Sequence, residues 1–111
     1  MKSVKEYFIN SNGKGRVFIS QPMKGKTSDE IRFEREDIVN QLTNKGYVVA
    51  DSILQDTPPE DNNAGLWCLG ESIKILSGCD YAYFVDGWKF ARGCKIEHDC
   101  AEKYGIKIIK D

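Results

Sequence analysis

The sequence has a single histidine, His98, and no Cys-x-x-Cys pair among its four cysteines. A zinc site draws about four ligands from such residues at short spacing, so no metal is expected. Cys68, Cys79, Cys94 and Cys100 are read instead as reduced, mostly buried thiols. Neither sign of charge is in excess: 16 basic and 17 acidic residues leave a net charge of -1. Nucleic-acid binders and membrane-surface binders usually carry a basic excess or a basic patch, so neither partner is expected. No apolar run approaches the ~20 residues that span a bilayer, and the amino terminus lacks the apolar centre of a signal peptide. The cytoplasm is therefore the expected compartment. Internal repeats and low-complexity segments are also missing, and 111 residues at 41% hydrophobic suit one globular domain over 1–111.

What the chain does have is an alternation of short β-type runs with helical stripes. Tyr7-Phe8-Ile9 and Arg16 to Ser20 flank Asn12-Gly13, a hairpin signal, so residues 1–15 are expected to form an antiparallel edge hairpin or a frayed terminus. Val17-Phe18-Ile19 reads as the first buried strand. After a loop from Ser20 to Lys26, Thr27 and Glu30 form a capping-box pattern. The helix it opens is predicted to run to about Lys45, with Ile31, Ile38 and Leu42 inward and Gly46 closing it. Tyr47 to Ala50 is the second strand, and the polar stretch Gln55 to Asn63 suits a surface loop or lid. Leu66, Leu69, Ile73 and Leu76 recur at helical spacing. Tyr81 to Val85 has the continuous apolar character of a strand covered on both faces. A last helix is predicted over Cys94 to Tyr104, with Ile96, Cys100, Ala101 and Tyr104 as its core stripe, and Ile106 to Ile109 closes the chain as a strand. The order predicts an α/β fold: a doubly wound, flavodoxin-like or Rossmann-like parallel sheet with helices on both faces.

Open parallel sheets bind ligands in the crevice outside the carboxyl ends of their strands. Two acids are expected there: Asp86, just past the third strand, and Glu97, about one turn into the last helix. The loop from Ser20 to Thr27 faces the same side and carries Lys24 and Lys26, a natural anion site ahead of a helix amino end. That loop is one residue away from the phosphate-binding pattern G-x-x-x-x-G-K-[ST], which makes a degenerate P-loop a competing reading. Against it, Ser20 replaces the first glycine and Pro22 removes an N–H from the cradle. Plain structural roles compete as well. Asp86-Gly87 is a common turn pair, Trp67 and Trp88 suit a core or interface, and Glu97 could be a solvated residue paired with Lys103 or Arg92. Asp80 falls at the amino end of its strand and is assigned to capping or structure. His98 follows Glu97 by one residue and points about 100° away on a helix.

Phe18-Ile19-Ser20-Gln21-Pro22-Met23 with Gly25 resembles the opening strand and loop of nucleoside 2-deoxyribosyltransferase-like proteins, often F-I-S-G-P-M. The segment from Asp80, with Gly93, Glu97 and Ala101, resembles their second signature, and Trp67, Leu69-Gly70 and Ser72-Ile73 look like the intervening helix of short, functionally unassigned bacterial and phage relatives. The resemblance covers Val17 to Ile109. Gln21 stands where glycine is usual, and Ala91 falls near the place of a second acid. The resemblance implies an N-glycosidase or deoxyribosyltransferase acting on a nucleoside or nucleotide without a cofactor. Glu97 would be the nucleophile and Asp86 the acid, with Asp51 on a sugar hydroxyl and Trp88 stacked on the base. Ser20, Gly25 and Lys26 would take any 5′-phosphate, and Gln21, Met23, Arg92 and Gly93 would complete the binding surface. It also implies a homo-oligomer in which a neighbour completes the pocket. A binder or sensor of a nucleotide-derived ligand, without turnover, is the alternative from a different class.

Overall fold

A computed structural model of the chain describes residues 14–51 and 57–110. The predicted terminal hairpin over 1–15 lies almost wholly outside the described residues, and the Gln55–Asn63 loop is described from residue 57 onward. The element order is β1 (Gly15–Ser20), α1 (Ser28–Asn44), β2 (Tyr47–Val49), α2 (Ala64–Ser77), β3 (Tyr81–Phe84), a 3-10 turn (Trp88–Phe90), α3 (Arg92–Lys103) and β4 (Lys107–Ile109). The four strands form one parallel sheet in the order β2-β1-β3-β4. This is a doubly wound α/β fold. No helix among the described residues is long and apolar enough to cross a membrane.

Side chains on a strand alternate between faces, and the two halves of the core follow that parity. Val17 and Ile19 pack with Ile38 and Leu42 of α1 and with Val85. Phe18 packs on the opposite face with Leu76 of α2, Ala82 and Phe84 of β3, and Ala101 of α3. So α1 covers one face, and α2 and α3 cover the other. Ser20 shares the parity of Phe18, so its hydroxyl is delivered to the face that carries α3.

Helix ends follow local chemistry. Thr27 Oγ1 accepts the Glu30 N–H at 3.1 Å while Glu30 Oε1 accepts the Thr27 N–H at 2.9 Å, which completes the capping box. Asn63 Oδ1 accepts the Leu66 N–H at 3.0 Å and starts α2. The predicted stripe of α3 is corrected. Its buried residues are Cys94, Glu97 and Ala101, whereas Ile96 is 39% exposed and Tyr104 83%. Counting apolar residues rotated the helix by about one position, because the side chain that faces inward is an acid with a polar partner on the sheet.

Asp80 has the structural role expected of it, at the edge away from the crevice. Its Oδ2 accepts the Arg16 N–H at 3.1 Å. Gly15 sits against this carboxylate with φ +124, and a Cβ there would lie 2.7 Å from Asp80 Oδ2. Gly15→Ala is therefore expected to destabilise the fold by about 1–3 kcal/mol, since it combines left-handed backbone strain with a clash. Urea unfolding would register this as a lower midpoint at unchanged slope, and an unchanged midpoint would contradict it.

Candidate active site

In the order β2-β1-β3-β4 the chain leaves β1 toward one edge of the sheet and later returns on the other side of β1. The crevice between the carboxyl ends of β1 and β3 is thus the topological switch point, where such sheets take ligands. Ser20 and Phe84 are register partners at that end. Ser20 is 1% exposed and Glu97 of α3 is 7% exposed. The Ser20 hydroxyl donates to Glu97 Oε1 at 2.6 Å, a short bond of the kind a charged acceptor makes. Burial pushes the Glu97 carboxyl above its usual range, and the Ser20 hydrogen bond opposes that shift. The Cys94 thiol, one turn earlier on α3, is also buried and is pushed up, chiefly by that burial, with the Ser20 hydroxyl opposing the shift.

Glu97 lines a cavity of about 720 Å³ that opens between the sheet end and α1. Ser20, Gln21 and Met23 come to it from the first loop, and Ser72 from α2. Its other wall is α1, through Ile31, Arg35 and Val39 and a second row of Arg32, Glu36 and Asn40. Those α1 residues were missed in the sequence reading. The signal was present as two rows at spacing four, but one of them is polar and resembles an ordinary solvated face. Arg35 is half-buried. Burial pulls its guanidinium below the usual value, and the negative charge of Asp51 opposes that shift.

Gln21 is 8% exposed, and its amide nitrogen donates to the Ile31 carbonyl and to Glu34 Oε1, each at 2.9 Å. Glu34 Oε1 also accepts from Lys26 Nζ at 2.8 Å. Both nitrogen contacts are to acceptors, which fixes the amide orientation. Gln21 Oε1 is then a buried side-chain atom without a hydrogen-bond partner. Lys26, the lysine of the phosphate-loop pattern, is thereby engaged by Glu34.

The expected convergence of two carboxylates on one cavity is corrected. Asp86 is exposed and lines a separate hollow of about 670 Å³ with Lys24, Lys26, Arg92 and Gly93. It lies two residues past β3, just before the chain turns at Gly87 with φ +92. Trp88 is also placed differently from the expected base platform. Its indole stacks on the His98 imidazole at 3.9 Å and 10°, and its edge packs toward Phe84. One aromatic face is therefore occupied from within the chain. Gly25 has φ +82, is exposed and belongs to neither hollow. Asp51 is exposed at the end of β2 and lies off the Glu97 cavity.

All four cysteines are free thiols; Cys79 and Cys94 are buried, and Cys68 and Cys100 partly so. No group of three or more metal-ligating side chains occurs among the described residues.

The arrangement can present one dry carboxylate, with one oxygen held, to a small molecule in an open cavity at the sheet end. No curated protein and no solved structure matches the chain. Residues 15–110 match the family described as a domain of unknown function (DUF4406), and the chain belongs to that family.

Proposed function

We propose that the chain cleaves the N-glycosidic bond of a nucleoside, with Glu97 as nucleophile. One observation carries this reading: a glutamate 7% exposed, bound by Ser20 at 2.6 Å, forms part of the wall of a cavity at the switch point of the sheet. A volume of about 720 Å³ is within the range of small-molecule sites, roughly 300–1,000 Å³. The resemblance of the Phe18–Gly25 and Asp80–Ala101 segments to nucleoside 2-deoxyribosyltransferase-like proteins supports the same chemistry.

The proposed steps balance as follows. The Glu97 oxygen not held by Ser20 attacks C1′ of the sugar, a C1′–O ester bond forms, and the C1′–N bond breaks with its electron pair leaving on the base. The base nitrogen takes a proton from water at the open mouth. A water molecule, or the nitrogen of a second base, then attacks C1′ and displaces the Glu97 carboxylate, and the attacking group gives its proton to solvent. A carboxylate that holds a proton more tightly is also the better nucleophile, and the Ser20 hydrogen bond keeps its ionised form populated. The side chains expected to take a 5′-phosphate are engaged elsewhere, Ser20 by Glu97 and Lys26 by Glu34, so the unphosphorylated nucleoside is the substrate class favoured here.

The test is incubation with ribo- and deoxyribonucleosides and with their 5′-monophosphates, with free base followed by chromatography. Base release, faster from nucleosides, is the expected result. The placement of Asp86 off the cavity favours one rival, a binder that leaves its ligand intact. Tight binding of a nucleoside with no base released would establish that rival instead.

A further inference from the structure

We propose that Ser20 is a positioning residue for Glu97, whose hydrogen bond from the sheet sets the nucleophile's orientation and charge. This rests on the glycosidase reading for its catalytic consequence, but its geometry stands apart from it. Ser20 and Glu97 are 1% and 7% exposed, so water does not compete for these groups as it does at a surface. A hydroxyl has one proton to give. Ser20 gives it to Glu97 Oε1 at 2.6 Å, which leaves the Ser20 oxygen as an acceptor.

This hydrogen bond has three consequences. Oε1 is tied down, so Oε2 is the attacking oxygen. The Glu97 side chain is held in one rotamer by a hydrogen bond from the rigid sheet rather than from a loop. Finally, the ionised form of a buried acid is stabilised by a neutral donor, which supplies no opposite charge that would blunt attack on the sugar. A nearby lysine would ionise Glu97 more strongly, yet would pair with it.

The experiment compares wild type, Ser20→Ala and Ser20→Cys, the last keeping a weaker donor in nearly the same shape. The Glu97 carboxyl is titrated by carbon NMR on chains labelled at glutamate, assigned by its loss in Glu97→Gln, and far-UV circular dichroism checks the fold. Base release from nucleosides is measured across pH. Ser20→Ala is expected to move the Glu97 titration to higher pH, with Ser20→Cys between it and wild type. The acid limb of kcat should move with it. A hydrogen bond to a charged group contributes roughly 1.5–3 kcal/mol, so kcat should fall about 10–100-fold with KM little changed. A purely structural serine would leave the titration where it was, and that result overturns the proposal whatever happens to turnover. If wild type releases no base, the glycosidase reading fails by itself, and the titration still decides the positioning.

Discussion

Glu97→Gln is expected to reduce base release by on the order of 10³-fold or more, and to make the protein more stable at neutral pH. The amide keeps the shape of the carboxylate and can still accept from Ser20 Oγ, which donates at 2.6 Å in the native chain. What it loses is the charge and the ability to form and break an ester at C1′, so the loss should fall on kcat. The stability gain follows from linkage. Burial raises the Glu97 carboxyl above its unfolded value, so in the pH window between the two the folded chain holds a proton that the unfolded chain has lost. Stability from this group is thus complete below the ordinary carboxyl range and is lost as pH rises through the raised folded value. Glutamine has no such dependence. For a domain of this size each kcal/mol recovered appears as roughly 4–8 °C in Tm, with the difference between the two proteins shrinking as pH falls. Base release within tenfold of wild type, or a variant melting below wild type at neutral pH, would remove Glu97 from the role given to it.

The largest structural effect is expected from Phe18→Ala. Phe18 is 2% exposed and lies in the cluster of Ala50, Leu76, Cys79, Ala82, Phe84 and Ala101, between the sheet and the α2 and α3 face. Removing a buried phenyl ring typically costs about 3–5 kcal/mol, part of it for the cavity that cannot collapse. Small neighbours such as Ala82 and Ala101 have no side-chain reach to fill the gap. Out of a total stability of roughly 5–15 kcal/mol this is a large share. Phe18 also lines the Glu97 cavity, so the same change should widen the site beneath the ligand. Urea unfolding is the measurement, and a loss below about 1 kcal/mol would mean that the strand is packed differently.

The element order was legible from the chain because each element has its own local signal. The Thr27–Glu30 box, Gly46 and the apolar run at Tyr81 depend on neighbours a few residues away, and the structure forms them where those signals lie. The capping box marks one end of α1 to the residue. The face of α3 was not legible in the same way. Its stripe was read from Ile96, Cys100, Ala101 and Tyr104; Ala101 is buried, but Ile96 and Tyr104 are exposed and Glu97 is turned inward instead, where Ser20 meets it from 77 positions away in sequence. A periodicity count has no access to such a partner.

The chain by itself determined the alternation of strands and helices, and with it that Ser20 and the helix carrying Glu97 lie at the carboxyl end of the sheet. These follow from short-range patterns and from the side of a parallel sheet on which loops must lie. Tertiary structure alone decided which of those residues meet. It joined Ser20 and Glu97, engaged Lys26 with Glu34, stacked Trp88 on His98 and placed Asp86 in a hollow of its own. The reason is that a hydrogen bond or an ion pair is satisfied by whichever group the packed helices bring within about 3 Å, and that distance is set by the whole fold rather than by spacing along the chain.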